Sequence, residues 1–288
     1  MASIQEGTTD SHQSVKIDTN MNKHQTKYKD DHRLLFGNKA LDPKYTSSRI
    51  YPMEHGIIRD CETMGHLIDY GFHNLFHNDD TDNDKITDSK ILVTEPTLNP
   101  IDNKKKVFEH MFERMNFGAV NLSNQSILVL YARGLVSGIV VECGEGITQV
   151  VPVYEGIVPH HLIKRHGVTG KTITSYLKKL LQLQGFNAKL ASDVESLRDI
   201  KEKFCYASCN LQEDRRLARE TTVLVEKYTL PDGTVIKVGQ ERFEATEAYF
   251  DPSLVDVECQ GLSDFVFDTI QECDMDCRLK LYEHVVLS

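Results

Sequence analysis

The residues best equipped for chemistry gather at one short turn. Glu142-Cys143-Gly144-Glu145-Gly146 lies between two β-rich runs, Gly138-Ile-Val-Val141 and Ile147-Thr-Gln-Val-Val-Pro-Val-Tyr154. Its glycines allow close backbone approach, and successive N–H groups in such a turn make a concave surface for an anion. An ordinary hairpin turn has the same composition, and a lone Gly-rich turn is a weak motif. The run Arg198-Asp199-Ile200-Lys201-Glu202 by itself reads as the solvated side of a helix, the usual fate of surface ion pairs. Gln125 alone reads as one more helix residue.

Metal-binding patterns are weaker. Cys205/Cys209 and Cys273/Cys277 have C-x-x-x-C spacing, but no histidine pair lies beside them to complete a zinc site. Asp80, Asp82, Asp84 and Asp88 copy part of a calcium loop. Lys85 stands where that loop needs glycine and Ile91 where it needs a bidentate glutamate, so Asn78 to Ser89 is expected to be a solvated loop. No metal site is expected.

The elements that must carry these groups alternate between strand and helix. Ile91 to Thr94 reads as a strand. Val107, Met111, Phe112 and Met115 form an apolar stripe of a helix from Asp102, stopped by Gly118. Asn121 to Arg133 reads as a second helix, closed by Gly134. The two runs around the Gly-rich turn make a hairpin. Ile173, Tyr176, Leu177, Leu180 and Leu181 predict a helix near Thr172 to Gln184, capped by Gly185. Ser192-Asp-Val-Glu195 is a capping box opening the next helix, with Leu197, Ile200 and Phe204 inward. Thr221 to Tyr228 and Thr234 to Val238 flank Leu230-Pro-Asp-Gly233 as a second hairpin. Helices near Leu262 to Cys273 and Met275 to Glu283 precede a last strand, Val285 to Ser288. This is an α/β pattern.

A net charge of −10 argues against broad binding to nucleic acid or to an anionic membrane. The longest apolar stretch, Ile127 to Val141, is broken by Arg133 and two glycines, and falls short of the ~18 residues of a membrane span. Met1 to Asp31 has no apolar segment of the kind a signal peptide needs. An intracellular, soluble chain with free thiols at its seven cysteines is therefore expected. Residues 1 to 33 hold too few large apolar side chains to bury a core, and read as a disordered tail.

Several segments resemble the actin family. Tyr51-Pro-Met-Glu-His-Gly-Ile-Ile58, Ile91-Leu-Val-Thr-Glu-Pro96, Val153-Tyr-Glu-Gly156, Ile200-Lys-Glu-Lys-Phe-Cys-Tyr206 and Glu241-Arg-Phe-Glu-Ala245 look like family signatures, collinear from about Leu34 to Ser288. Thr221 to Gly233 looks more like the actin-related branch of the family than conventional actin. The resemblance implies an actin-like fold, shared with sugar kinases and heat-shock ATPases, here incomplete at both ends. It divides the chain into 34–133, a core of 134–168 with 260–288, and an appended 169–259.

The same resemblance, and nothing in composition or spacing, implies a function. The expected cofactor is ATP or ADP with Mg²⁺, bound weakly or lost. Gly144, Glu145, Gly146, Arg198, Asp199, Ile200, Lys201 and Glu202 would contact the nucleotide. Gln125 would orient the attacking water, with Glu142 beside it. Glu142 and Glu145 stand where the family has aspartates, Cys143 where it has a hydroxyl residue, and Gln149 where it has a histidine. With no match in residues 1–33 to the family's first phosphate hairpin, these changes argue against efficient hydrolysis. The expected partners are actin-related protein 3, the other subunits of the filament-branching complex and actin filaments, in the cytoplasm and cytoskeleton. A weak hydrolase of the same fold, and a partial gene product without independent activity, are the competing expectations.

Overall fold

A computed structural model describes residues 3–5, 34–41, 49–76, 89–186, 192–230 and 233–288. The polar tract at 78–88, and Pro231-Asp232 of the second hairpin turn, lie outside the described residues.

The chain begins with three short strands, β1 (Ser3–Gln5), β2 (Leu34–Phe36) and β3 (Arg49–Ile50), with β1 between the other two and antiparallel to both. Ser3–Gln5 is the part of residues 1–33 that lies within the described residues. A three-residue strand is held by its backbone hydrogen bonds and needs no apolar core of its own. The hairpin of β4 (Met53–Glu54) and β5 (Ile57–Ile58) leads into helix α1 (Cys61–Phe76).

Strand β6 (Lys90–Glu95) lies parallel to β7 (Ala119–Asn124), with helix α2 (Ile101–Glu109) and a π-turn at His110–Arg114 between them. Val107, Met111, Met115 and Phe117 are buried against this pair, with Phe72 of α1 packed alongside. Phe112 is 44% exposed, so it does not belong to the expected stripe; the π-turn adds a residue per turn and rotates it off the buried face.

Helix α3 (Gln125–Ala132) begins four residues later than the sequence pattern suggests. Asn121 to Asn124 are extended because each pairs along β6, from Leu92↔Asn121 to Glu95↔Asn124. Asn124 then caps α3, its side chain accepting the Ser126 N–H at 2.9 Å.

The central sheet runs β10-β9-β8-β13, built from β8 (Gly138–Cys143), β9 (Thr148–Val153), β10 (Lys164–His166) and β13 (Val285–Leu287). The Gly-rich turn joins β8 and β9 antiparallel, in register from Gly138↔Val153 to Cys143↔Thr148. β13 runs parallel to β8. Both faces of β8 and β9 are covered. Ile139, Val141 and Val150 meet Ile270 and Leu281 of helices α8 (Leu262–Glu272) and α9 (Met275–Glu283). Val140, Val151 and Val153 meet Leu130 of α3. Runs of β-branched residues without polar alternation are what a sheet buried on both sides requires.

A third body lies between β10 and α8. Helices α4 (Gly170–Leu183), α5 (Ser192–Phe204), α6 (Leu211–Glu220) and α7 (Glu241–Glu247) surround the two-stranded ladder of β11 (Glu226–Thr229) and β12 (Val235–Val238). Ile173, Leu177, Leu181, Leu197, Ile200, Val238 and Ala245 form its core. α6, with a strong charged face and no apolar stripe, is an element that the sequence pattern does not predict.

Candidate functional site

The turn after β8 projects toward α3, α4 and α5. Gly144 closes it by donating to the Ile147 carbonyl at 2.8 Å. The first N–H groups of α4 then take its outward carbonyls: Gly170 donates to Gly144 and Lys171 to Glu145, each at 3.0 Å. Glycine at 170 permits this close approach, since a Cβ there would lie 3.1 Å from Glu145 Cα and 3.2 Å from the Gly144 oxygen and would push the turn back by a few tenths of an ångström. His55 Nδ1 donates to the Gly146 carbonyl at 3.2 Å. Among the described residues no carbonyl accepts from the N–H groups of Glu145 and Gly146. With its carbonyls occupied and these donors open, the turn has the chemistry of an anion cradle.

Lys201 of α5 reaches the same place. Its ammonium donates to Glu145 Oε2 at 3.2 Å and to the Gly170 carbonyl at 3.0 Å, with 15% of its side chain exposed. Arg198, one turn earlier, forms a bond of 3.1 Å from Nε to Glu202 Oε1. That bond is the main reason its guanidinium is held more firmly protonated, and the Glu145 charge adds to it. Glu145, Arg198, Lys201 and Glu202 therefore form one electrostatic group beside the turn.

Two residues of the expected set point elsewhere. Asp199 is committed to Lys203 at 2.7 Å and the Tyr228 hydroxyl at 2.8 Å; the Lys203 bond comes first in holding its carboxyl below the usual carboxylate range. Ile200 is fully buried among Leu197, Leu177 and Val238, so its side chain belongs to the core.

Behind the turn lies a buried polar cluster. Glu142, 5% exposed, accepts from three side chains. Gln125 Nε2 and Gln149 Nε2 each lie 2.5 Å from its Oε2, and Ser126 Oγ lies 2.6 Å from its Oε1. Thr97 completes the group, 3.3 Å from both Gln149 Nε2 and Ser126 Oγ. Arg165 Nη2 fixes the backbone there through the Thr97 carbonyl at 3.0 Å. Gln149 Oε1 is buried without a partner. Next to Glu142, Cys143 is exposed as a residue, yet its thiol is pushed up, first by the desolvating bulk around it and then by the Glu142 charge.

Ser126, Thr97 and Arg165 are not among the residues expected from sequence. Ser126 follows Gln125 directly and could have been found by extending that position by one. Thr97 and Arg165 carry no local signal, because they arrive from the end of β6 and from β10. All seven cysteines are free. Among the described residues no group of three or more His, Cys, Asp or Glu is placed to hold a metal ion, and no helix is long and apolar enough to cross a membrane.

A parallel pair (β6/β7), a doubly covered sheet and an N–H-lined hairpin turn facing α5 make an α/β arrangement with the hairpin at its centre. The family model described as Actin matches residues 9–288. The chain belongs to the actin family. Actin-related protein 2 of Saccharomyces cerevisiae is 47% identical over 255 residues, which cover 88% of this chain and 64% of that protein. Actin-related protein 2 of Oryza sativa, from the indica and japonica subspecies, is 44% identical over the same shares. This chain thus spans 64% of the length of the relatives it matches. The family match starts at residue 9, earlier than the collinear signatures from Leu34. The α/β, actin-like fold expected from those signatures is the fold found.

Proposed function

We propose that this chain is a nucleotide-binding actin-related subunit that works in the nucleation of branched actin filaments. The observation that carries this is the 47% identity to an actin-related protein 2 over 255 residues. Its partners on this reading are actin-related protein 3, the other subunits of the branching complex and actin filaments, and its place is the cytoplasmic cytoskeleton. The division 34–133, 134–168 with 260–288, and 169–259 belongs to the same reading. Its support is that separate apolar cores centre on Met111, on Ile139 with Ile270, and on Leu177 with Ile200.

ATP or ADP with Mg²⁺ is the cofactor of this reading. The open N–H groups of Glu145 and Gly146 fit a phosphate, and Lys201 is near enough to be drawn from Glu145 to it. Mg²⁺ would supply charge neutralisation between phosphates. Among the described residues, Glu145 is the half-exposed carboxylate of the turn itself and would hold that ion's waters. Arg198 and Glu202 flank the nucleotide from α5.

Tagged chain expressed in cells and recovered from extract, with its companions identified by mass spectrometry, tests the assembly. Co-recovery of actin-related protein 3 and further subunits is the expected result. Recovery of chaperones alone overturns it.

A further inference from the structure

We infer that Glu142 acts as a positioning residue that restrains Gln125, so that bound ATP is held rather than turned over. This rests on the nucleotide-binding reading above and adds the mechanism that sets its rate. Three neutral donors converge on one buried carboxylate: Gln125 and Gln149 at Oε2, both at 2.5 Å, and Ser126 at Oε1 at 2.6 Å. Hydrogen bonds to an ionised acceptor are roughly twice as strong as neutral ones, and low surrounding dielectric strengthens them further. Gln125 is the only member of this donor set that is part-exposed and stands at the first position of a helix facing the turn. Its carboxamide is thus the one group of the cluster able to reach a ligand in the cradle, and it is the one Glu142 draws back.

The length of Glu142 is what permits this. An aspartate at 142 would withdraw its oxygens by about 1.5 Å, one carbon–carbon bond. The 2.5 Å contact would then open beyond hydrogen-bond range. Gln149 makes the restraint firmer. It is fully buried, its amide nitrogen shared between Glu142 and Thr97, and its own oxygen has no donor. That orphan oxygen accepts no hydrogen bond, so it does not compete with Glu142 for the Gln125 amide.

The restrained step is ATP hydrolysis. The water oxygen forms a bond to the γ-phosphorus as the β–γ bridging P–O bond breaks. The electron pair leaves with ADP, and the water proton passes to phosphate or solvent. A carboxamide that aligns this water must be free to turn its oxygen to it.

Single-turnover hydrolysis with the full chain at saturating Mg-ATP tests this, alongside binding of a fluorescent ATP analogue. Wild-type chain is expected to bind the analogue and to hydrolyse ATP slowly. Glu142→Asp is expected to raise the rate about 10- to 100-fold, and Gln125→Ala in that background to cancel the gain. As a readout that activity does not enter, the Gln125 side-chain amide protons in ¹⁵N-glutamine-labelled protein should exchange faster in Glu142→Asp. Ser126→Ala, which loosens the carboxylate from its other oxygen, is a second variant with the same direction of effect. Equal rates in wild type and both variants, with binding intact, overturn the restraint alone. Loss of analogue binding in the wild-type chain overturns the nucleotide reading and the restraint with it.

Discussion

Arg49 and Glu195, 146 positions apart, meet at 2.9 Å between Nη1 and Oε1, with the arginine side chain only 4% exposed. Arg49 Nε also donates to the Ala40 carbonyl at 2.9 Å. The pair ties β3 and the segment before it to α5, the helix that carries Lys201 to the Gly-rich turn. Removing one partner of such a pair leaves a charge poorly solvated. Glu195→Ala should therefore lower the unfolding free energy by about 1–3 kcal/mol, scaled down from a fully buried pair because Glu195 is partly exposed. Urea unfolding followed by circular dichroism measures it; a change within about 0.5 kcal/mol would show the contact to be energetically idle.

The neighbours Ile200 and Lys201 should respond in opposite ways. Ile200 is fully buried, so Ile200→Ala should cost about 2–5 kcal/mol of stability. Lys201→Met should leave stability nearly unchanged but weaken binding of a fluorescent ATP analogue by about tenfold, since it removes the ammonium beside the cradle. Thermal melts and titrations of the two variants separate the roles.

His110 predicts a pH dependence. Burial, and next the Arg114 charge, push its imidazole below the ordinary value of 6.5, against the pull of Asp69 and Glu62 and with a further push from His66. The unfolded chain therefore takes up the proton first as pH falls. The contribution is fully present above pH 6.5 and is lost as pH drops through the lower folded value. Denaturant melts between pH 7.5 and about 5 should show falling stability, and His110→Gln should flatten that part of the curve.

The same imidazole covers Gly65 of α1, where a Cβ would come within 1.9 Å of Nε2. Gly65→Ala must displace the ring, which outweighs the usual gain in helix propensity. A net loss of about 1–3 kcal/mol is expected by denaturant titration. A gain in stability would mean that the ring swings aside freely.

The thiols should divide by burial. Cys205 and Cys273 are both pushed up to about 11, chiefly by desolvation, whereas Cys209 is exposed. At pH 8 an aromatic disulfide reagent should label Cys209 within the fast phase and leave Cys205 and Cys273 until denaturant is added. Cys209→Ser should remove a fast-reacting thiol; retention of the full fast phase would overturn the assignment.

Local chemistry made much of this protein legible in its sequence. The apolar spacing of Ile173, Leu177 and Leu181, the Gly185 stop and the hairpin around Gly144 all depend on contacts within a few residues, and the structure has them where the pattern places them. Asn121 to Asn124 did not yield to the same reasoning, because their strand form is imposed by β6, some 30 positions earlier. α6 was hidden because its charged residues pair outward, as Arg215 does in a two-pronged contact with Glu244. The candidate site shows the same boundary. Sequence alone determined the Gly-rich turn and the run of charges on α5, since backbone freedom and residue type are local properties. Tertiary structure decided that Lys201 reaches Glu145 while Ile200 turns inward, and that Gln125, Ser126 and Gln149 share the Glu142 carboxylate. Those outcomes depend on how α3, α5 and the central sheet pack, and a buried charge collects whichever donors the packing brings within about 3 Å.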